Sequence, residues 1–213
     1  MRIAVMGGTF NPIHYGHLRV AEEVRDLIKI DRVVFIPACH PPHKNDRSFI
    51  ASEHRLSMVK LAIEDNHAFY VSDREIRRGG KSYSVETLRE IHAEEPGADI
   101  HFIVGADSFN EITTWHEYGE LFTLANIIVV PRPGYPAKRV DEVLPVAEAC
   151  KFWYDEARDI YPNDYGRFVQ FVETTRMGIS ASRIRDMVKQ GVSVRYLLPP
   201  TVGGYIEKEQ LYR

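Results

Sequence analysis

The sequence predicts an α/β fold with a doubly wound, mostly parallel sheet and helices on both of its faces. Short runs rich in valine and isoleucine recur along the chain, bounded by polar, proline or glycine residues, as is typical of buried strands. Between them lie stretches whose apolar residues repeat at helical spacing. Strands that alternate with helices form parallel sheets covered on both faces. The chain has 213 residues, enough for one well-packed domain, which we expect over residues 1–213.

The predicted elements follow one another in a regular order. Strands are expected at Ile3–Met6, Val33–Ile36, Phe69–Val71, Ile100–Val104, Ile127–Val130 and Phe168–Val172. Helices are expected at Leu18–Ile28, Ser52–Glu64 and Ser84–Glu94, and a last helix starts after Ile179 and ends near Gly191. The predicted helix N-caps are Ser52, Ser84 and Ser180. Ligands gather at the carboxyl ends of parallel strands, which here are the loops 7–17, 37–47, 105–115 and 131–135.

The stretch from about residue 135 to 167 does not continue this alternation of strands and helices, and we treat it as an insertion. Three prolines interrupt it, and aromatic residues lie among acidic ones. A lid, an oligomer contact and a long packed excursion are all compatible with this composition. We expect structural packing.

Composition excludes several classes of protein. The net charge is −3, so no basic field indicates binding to nucleic acid. Cys39 and Cys150 form no disulfide framework and suggest a reducing compartment. The chain opens with a strand rather than a signal-peptide pattern, and its longest apolar runs are far shorter than a bilayer span. We therefore expect a cytoplasmic protein with no membrane partner, and a homo-oligomer is left open.

The loop after the first predicted strand carries the strongest functional signal. Glycines let a phosphate approach the backbone, and the N–H groups at the start of the next helix attract its charge. His14 and His17, three residues apart, can face one way at that helix start. Zinc would need a third protein ligand, which no nearby residue offers at the usual spacing. The sequence predicts a phosphate site here, with nucleotide contacts at Gly7, Gly8, Thr9 and Phe10.

A second phosphate site is predicted where the last long apolar run leads into a helix. Ser180, Ser182 and Arg185 place two hydroxyls and a guanidinium at that helix start. Together with backbone N–H groups they suit a β,γ-diphosphate. Plain capping with solvated arginines is the simpler alternative.

Residues 8–17 resemble the G-x-F-x-P-x-H-x-G-H box of the nucleotidyltransferase superfamily, and residues 179–185 resemble its second signature, I-S-x-[ST]-x-I-R. Gly-Thr-Phe and Pro-Ile-His make the first box most similar to that of bacterial nicotinate-nucleotide adenylyltransferases. The resemblance covers roughly residues 2–134 and 168–212. It implies a Rossmann-like nucleotidyltransferase fold and transfer of AMP from ATP to nicotinate mononucleotide, which gives deamido-NAD and pyrophosphate.

The resemblance also implies which residues bind the acceptor. His43 and Lys44, in a Pro-Pro-His-Lys run, would lie beside the mononucleotide phosphate, with Arg47 and Arg55 as weaker candidates. Tyr83 and Ser84 match the S-Y-T-x-D-T-L box, although Ser84 replaces its threonine and Glu86 its aspartate. Trp115 would cover the pyridine ring.

Three residues at other strand ends complete the implied site. Gly105 would let the nucleotide approach closely, Asp107 would accept ribose hydroxyls, and Arg132 belongs to the family's R-P-G run. Under this hypothesis the acceptor phosphate attacks the α-phosphorus of ATP directly, so no general base is needed. The predicted catalytic residues are His14 and His17, which donate to the phosphates, and Arg185, which with Ser180 and Ser182 holds the leaving pyrophosphate. Mg²⁺ is expected to be held mainly by phosphate oxygens.

Alternatives from other classes stay open at this point. A sibling enzyme could use nicotinamide mononucleotide or another phosphorylated acceptor. A class I tRNA synthetase core shares an H-x-G-H box, but a K-M-S-K-S-like loop and a basic surface are missing. A nucleotide sensor on the same fold would bind ATP and release no pyrophosphate.

Overall fold

The computed structural model describes residues 1–41, 49–132 and 134–213. Its strands are β1 (Arg2–Gly8), β2 (Arg32–Pro37), β3 (Phe69–Val71), β4 (Asp99–Gly105), β5 (Asn126–Val130), β6 (Tyr161–Pro162) and β7 (Phe168–Phe171). The α-helices before β5 are α1 (Tyr15–Leu27), α2 (Ser52–Ile63), α3 (Arg74–Arg78), α4 (Ser84–Glu94), α5 (Ala106–Asn110) and α6 (Tyr118–Leu124). Those after it are α7 (Val140–Val143), α8 (Val146–Ala149), α9 (Ala181–Lys189) and α10 (Pro200–Lys208), and a 3₁₀ turn spans Ile112–Thr114.

The seven strands form one sheet in the order β3-β2-β1-β4-β5-β7-β6. All neighbouring strands are parallel except β6, which pairs antiparallel with β7. After β1 the chain forms β2 and β3 on one side of β1, and it then crosses back to form β4 and β5 on the other side. The crevice above β1 and β4 is therefore the topological switch point at which such sheets bind ligands.

Alternate residues of each strand feed two separate cores. Ala4 and Met6 of β1 join a cluster with α1, α2, α9 and α10, whereas Ile3 and Val5 join a cluster with α4, α5, α6 and α7. Because both faces of the sheet are buried, the strand sequences contain consecutive apolar residues rather than an alternation of apolar and polar ones. The predicted doubly wound α/β fold is confirmed.

Two helix starts differ from the prediction. Helix α1 begins at Tyr15 rather than Leu18, because the extended residue His14 accepts backbone bonds from His17 at 2.9 Å and Leu18 at 3.3 Å. The N-cap of α2 is Ala51, and Ser52 is its first helical residue, so the predicted cap at Ser52 is wrong. Gly191 follows α9 with φ of 70°, a left-handed conformation that favours glycine.

The 135–167 stretch packs against the rest of the fold through a few anchors. Val140 and Leu144 are buried in the cluster of α4–α7. Buried Asn163 donates from Nδ2 to the Phe122 carbonyl at 3.0 Å. Trp153 and Tyr154 remain about half exposed. These contacts are compatible with the packing role that we expected, which stays a prediction. None of the helices in the described ranges is both long and apolar enough to cross a membrane.

Candidate functional site

The loop between β1 and α1 is built around a buried phenylalanine. A Cβ added at Gly8 would lie 3.0 Å from the Phe10 ring, so a side chain there would displace that ring. Phe10 is buried in a left-handed conformation with φ of 47°, and its ring meets the His17 ring edge-on, with centroids 5.2 Å apart. Only the backbone of Phe10 could therefore serve as the predicted nucleotide contact.

The two histidines form a stacked pair at the start of α1. Their ring centroids lie 3.8 Å apart with an interplanar angle of 24°. The backbone N–H of His14 donates to Nδ1 of His17 at 3.3 Å. Because Nδ1 accepts, a neutral His17 ring carries its proton at Nε2. The ring N–H of His17 is therefore at Nε2, where it can donate a hydrogen bond on the side of the ring that points away from the backbone.

His14 is a buried, neutral imidazole at pH 7. Burial, reinforced by the positive charge of Arg132, lowers the pKa of His14 to about 4. Its Nδ1 is buried and has no hydrogen-bond partner within the described residues. A neutral ring can donate only one N–H, so His14 contributes a directed dipole rather than a full charge.

We expect this pKa to appear in the pH dependence of stability. The unfolded chain protonates His14 near pH 6.5, while the folded protein resists protonation down to about 4, so folding loses stability as the pH falls through this window. The linkage amounts to about 3 kcal/mol between pH 7 and pH 4. Urea unfolding of the wild type and His14→Gln at both pH values measures it. An equal decline in both proteins would contradict the assignment.

Gly16 makes room for the His14 ring. A Cβ at Gly16 would lie 3.0 Å from Nδ1 and 3.1 Å from Cε1 of His14. Gly16→Ala should therefore displace the ring and lower kcat by about tenfold or more, since small misplacements of catalytic groups cost this much. Gly119→Ala is the matched control, because nothing lies within 4 Å of its Cβ position. Steady-state kinetics of both variants test this, and normal turnover by Gly16→Ala would refute it.

The second predicted phosphate site lies directly against the first. Ser180 caps α9 as predicted, and its Oγ accepts the Arg183 N–H at 3.3 Å. Arg185 donates from Nη1 to the Asn11 carbonyl at 2.9 Å, and the Ile179 side chain adjoins Gly16. Ser182 is exposed on the first turn. The two boxes, at opposite ends of the sequence, meet as we expected.

A small cavity is lined by residues at the start of α9 and by residues 193–197. Its volume is about 230 Å³. Polar groups at its wall come from Ser180, Arg183, Ser193 and Arg195, above a floor that includes Met187.

An ion pair joins the ends of β4 and β5. Asp107 folds back over Gly105, where an added Cβ would lie only 2.6 Å from Oδ1. Nη1 of Arg132 lies 3.2 Å from Oδ2 of Asp107, and the charge of Arg132 also acts on His14. Oδ1 of Asp107 is buried without a hydrogen-bond partner in the described part of the chain. Three of the four predicted ligand loops therefore converge at the switch point.

The predicted acceptor residues lie beside the start of α4. Tyr83 is the N-cap of α4 and Ser84 its first residue, so the predicted cap at Ser84 is wrong. The Tyr83 ring lies 4.4 Å from the His116 ring, and Trp115 packs edge-on against Phe102 at 6.3 Å. His43, Lys44 and Arg47 lie outside the described residues.

Arg55 has a structural role that the sequence did not reveal. It is only 2% exposed, and its guanidinium donates to the carbonyls of Thr9 at 2.8 Å, Cys39 at 3.0 Å and Ile50 at 3.3 Å. Its proposed contact with substrate is therefore wrong. The sequence did contain one indication of this role: Arg55 lies three and four residues before Met58 and Val59, on the same buried face of α2.

Glu75 supports the acceptor side in a similar way. Burial raises the pKa of this carboxyl, which accepts hydrogen bonds from Thr87 Oγ1 at 2.6 Å and from Ser82. Ser82 in turn accepts the Cys39 N–H at 2.8 Å. This chain of contacts fixes the loop after β2 to the start of α4. No sequence pattern indicated it.

Comparison with known proteins agrees with this architecture. Residues 5–187 match the cytidylyltransferase-like family. A protein of Geobacter sp. (strain M21) named "Probable nicotinate-nucleotide adenylyltransferase" is 51% identical over 212 residues, covering 100% of this chain and 98% of the relative. A protein of the same name from Geobacter sulfurreducens is 44% identical, with the same coverage of both chains.

A solved structure shares the fold at low sequence identity. The Plasmodium falciparum nicotinic acid mononucleotide adenylyltransferase complexed with NaAD has a TM-score of 0.74 and 19% identity, covering 99% of this chain and 97% of that one. The family match and the full-length relatives show that this chain belongs to the cytidylyltransferase-like family, in the branch of the nicotinate-nucleotide adenylyltransferases.

Proposed function

We propose that this protein transfers the adenylyl group of ATP to nicotinate mononucleotide, giving deamido-NAD and pyrophosphate in NAD biosynthesis. The observation that carries the proposal is the junction of the two phosphate boxes, where Arg185 meets the loop of the stacked histidines. Full-length relatives at 51% and 44% identity are named for this activity.

The chemistry needs positioning more than activation. An oxygen of the acceptor phosphate forms a bond to the α-phosphorus, while the bond from that phosphorus to the oxygen bridging to the β-phosphate breaks. The acceptor oxygen is already anionic, so no side chain has to remove a proton. Fixed donors and cations aimed at the phosphates then stabilise the charge that develops on the leaving pyrophosphate.

Each part of the site has a proposed role in this step. His17, with its proton at Nε2, donates to the α-phosphate, and the neutral ring of His14 orients His17 and donates to the same group. Arg185, Ser180 and Ser182 hold the leaving pyrophosphate, and Gly7, Gly8 and Thr9 let the triphosphate approach the backbone. Asp107 binds ribose hydroxyls, with Arg132 holding its carboxylate. Tyr83, Ser84 and Trp115, with His43 and Lys44, address the acceptor.

We propose that Mg²⁺ accompanies ATP. Within residues 1–41, 49–132 and 134–213, no group of three or more His, Cys, Asp or Glu side chains is placed to hold a metal ion. We propose that the ion is coordinated mainly by phosphate oxygens, as is common for Mg²⁺. When bound, the ion neutralises part of the phosphate charge.

A pyrophosphate-release assay tests the proposal directly. ATP would be offered with nicotinate mononucleotide, nicotinamide mononucleotide, FMN and pantetheine phosphate in turn. We expect the highest kcat/KM with nicotinate mononucleotide. Preference for another acceptor would assign a sibling activity, and ATP binding without release under any pairing would assign a sensor. We also propose that the chain forms a single domain with an inserted segment at 135–167. Its proposed location is the cytoplasm.

A further inference from the structure

Asn11 is fixed on two sides by residues distant in sequence. It is 2% exposed and lies in the loop that leads to His14. Its backbone carbonyl accepts from Arg185 Nη1 at 2.9 Å, across 174 positions of sequence. Its side-chain Oδ1 accepts from the hydroxyl of Tyr212 at 2.8 Å, across 201 positions. The orientation of this residue is thus set by both contacts together.

Tyr212 is held firmly enough to act as an anchor. It follows α10 in a left-handed conformation with φ of 64°. The preceding Leu211 is buried in the core cluster of α1, α2, α9 and α10, and Tyr212 packs against the same cluster. The phenol is therefore attached to the rigid core rather than to a surface turn.

The phenol keeps its proton, which the contact with Asn11 requires. Burial raises the pKa of Tyr212, although the charges of Arg185 and Arg55 act in the opposite direction. A neutral hydroxyl between two guanidinium groups donates its hydrogen to the Asn11 oxygen. The same two arginines bind the carbonyls of Asn11 and Thr9, so the phenol and both cations hold one short stretch of loop.

We propose that Tyr212 is a positioning residue for adenylyl transfer, acting through Asn11 on the phosphate loop and on Arg185. This inference rests on the proposed function. When Asn11 is fixed, its carbonyl fixes the Arg185 guanidinium, and the loop presents His14 at the start of α1 in one position. Without the hydroxyl, the buried amide oxygen loses this donor, and the loop is held less firmly in the geometry that the site needs.

Tyr212→Phe removes only the hydroxyl, and Tyr205→Phe is its matched control. The Tyr205 hydroxyl, on α10, bonds to Nδ1 of His54 on α2 at 2.9 Å rather than to Asn11. We expect Tyr212→Phe to lower kcat/KM for ATP by about tenfold, with an unchanged KM for the acceptor. Tyr205→Phe should stay within about twofold of the wild type in the same measurements.

Affinity for a non-hydrolysable ATP analogue, measured by calorimetry, is the second readout. We expect the dissociation constant to rise several-fold for Tyr212→Phe alone. If Tyr212→Phe merely melts at a lower temperature, with rates and affinity like those of Tyr205→Phe, the positioning role is wrong. A wild type that binds the analogue but transfers nothing would overturn the proposed function instead, and the affinity comparison would still decide the role of Tyr212.

Discussion

Replacing His17 with alanine should lower kcat by about 10²–10³-fold, the usual effect of removing one donor aimed at developing charge in a transition state. The structure gives the reason: Nδ1 of His17 is occupied by the His14 N–H at 3.3 Å, which leaves Nε2 as the position of its proton. The alanine variant loses this donor and also one ring of the stacked pair. Pyrophosphate release at saturating substrates measures the loss.

Folding should be affected much less than turnover. His17 is only partly buried, and helix α1 keeps its other contacts with the core. His92→Ala, at an exposed position of α4, controls for the loss of a histidine without a role in the site. Turnover by His17→Ala within a few-fold of the His92 variant would rule out His17 as a transition-state donor.

Arg185→Lys should lower kcat by about 10²-fold, although the charge is kept. The planar guanidinium of Arg185 donates to the Asn11 carbonyl at 2.9 Å, and in the proposed function its other N–H groups bind the leaving pyrophosphate. A lysine offers one ammonium group on a flexible stem and cannot reproduce two fixed directions of donation. We therefore expect both a lower kcat and a higher KM for ATP, with little change in KM for the acceptor.

Arg176→Lys is a suitable comparison for Arg185→Lys. Arg176 is exposed and pairs with Glu173 at 3.4 Å on the surface, where such pairs contribute little. Initial rates over a range of ATP concentrations separate the two variants. If Arg185→Lys matched Arg176→Lys in both kcat and KM, simple capping of α9 would account for this box.

The sequence predicted most of the long elements and missed most of the short ones, although it also missed the nine-residue helix α10. Helix α4 has the bounds that its periodicity and the following Pro96-Gly97 indicated, and every predicted strand is present. Helices α3, α5, α7 and α8 have four or five residues each, and β6 has two. Segments this short carry no period, and their structure depends on contacts with distant residues.

The predictions of the site followed a similar pattern: local motifs were recognised, whereas contacts between distant loops were not. The resemblance to the nucleotidyltransferase superfamily implied that both boxes act on one triphosphate, and Arg185 of the second box does contact Asn11 of the first. The Asp107–Arg132 pair and the Tyr212–Asn11 bond were not predicted, since no local pattern encodes a pairing between distant loops. The caps at Ser52 and Ser84 were wrong because the preceding Ala51 and Tyr83 adopt the extended backbone of a cap.

The Arg55 guanidinium gives the loop after β1 and the loop after β2 one common anchor. Its contacts with Thr9 and Cys39 span the two loops from within the core, so a ligand that shifted either loop would strain a buried cation bound to both. We expect such a shared anchor to couple the affinities for the two proposed substrates. Thermodynamic reciprocity then requires that the factor by which ATP changes acceptor affinity equals the factor by which the acceptor changes ATP affinity.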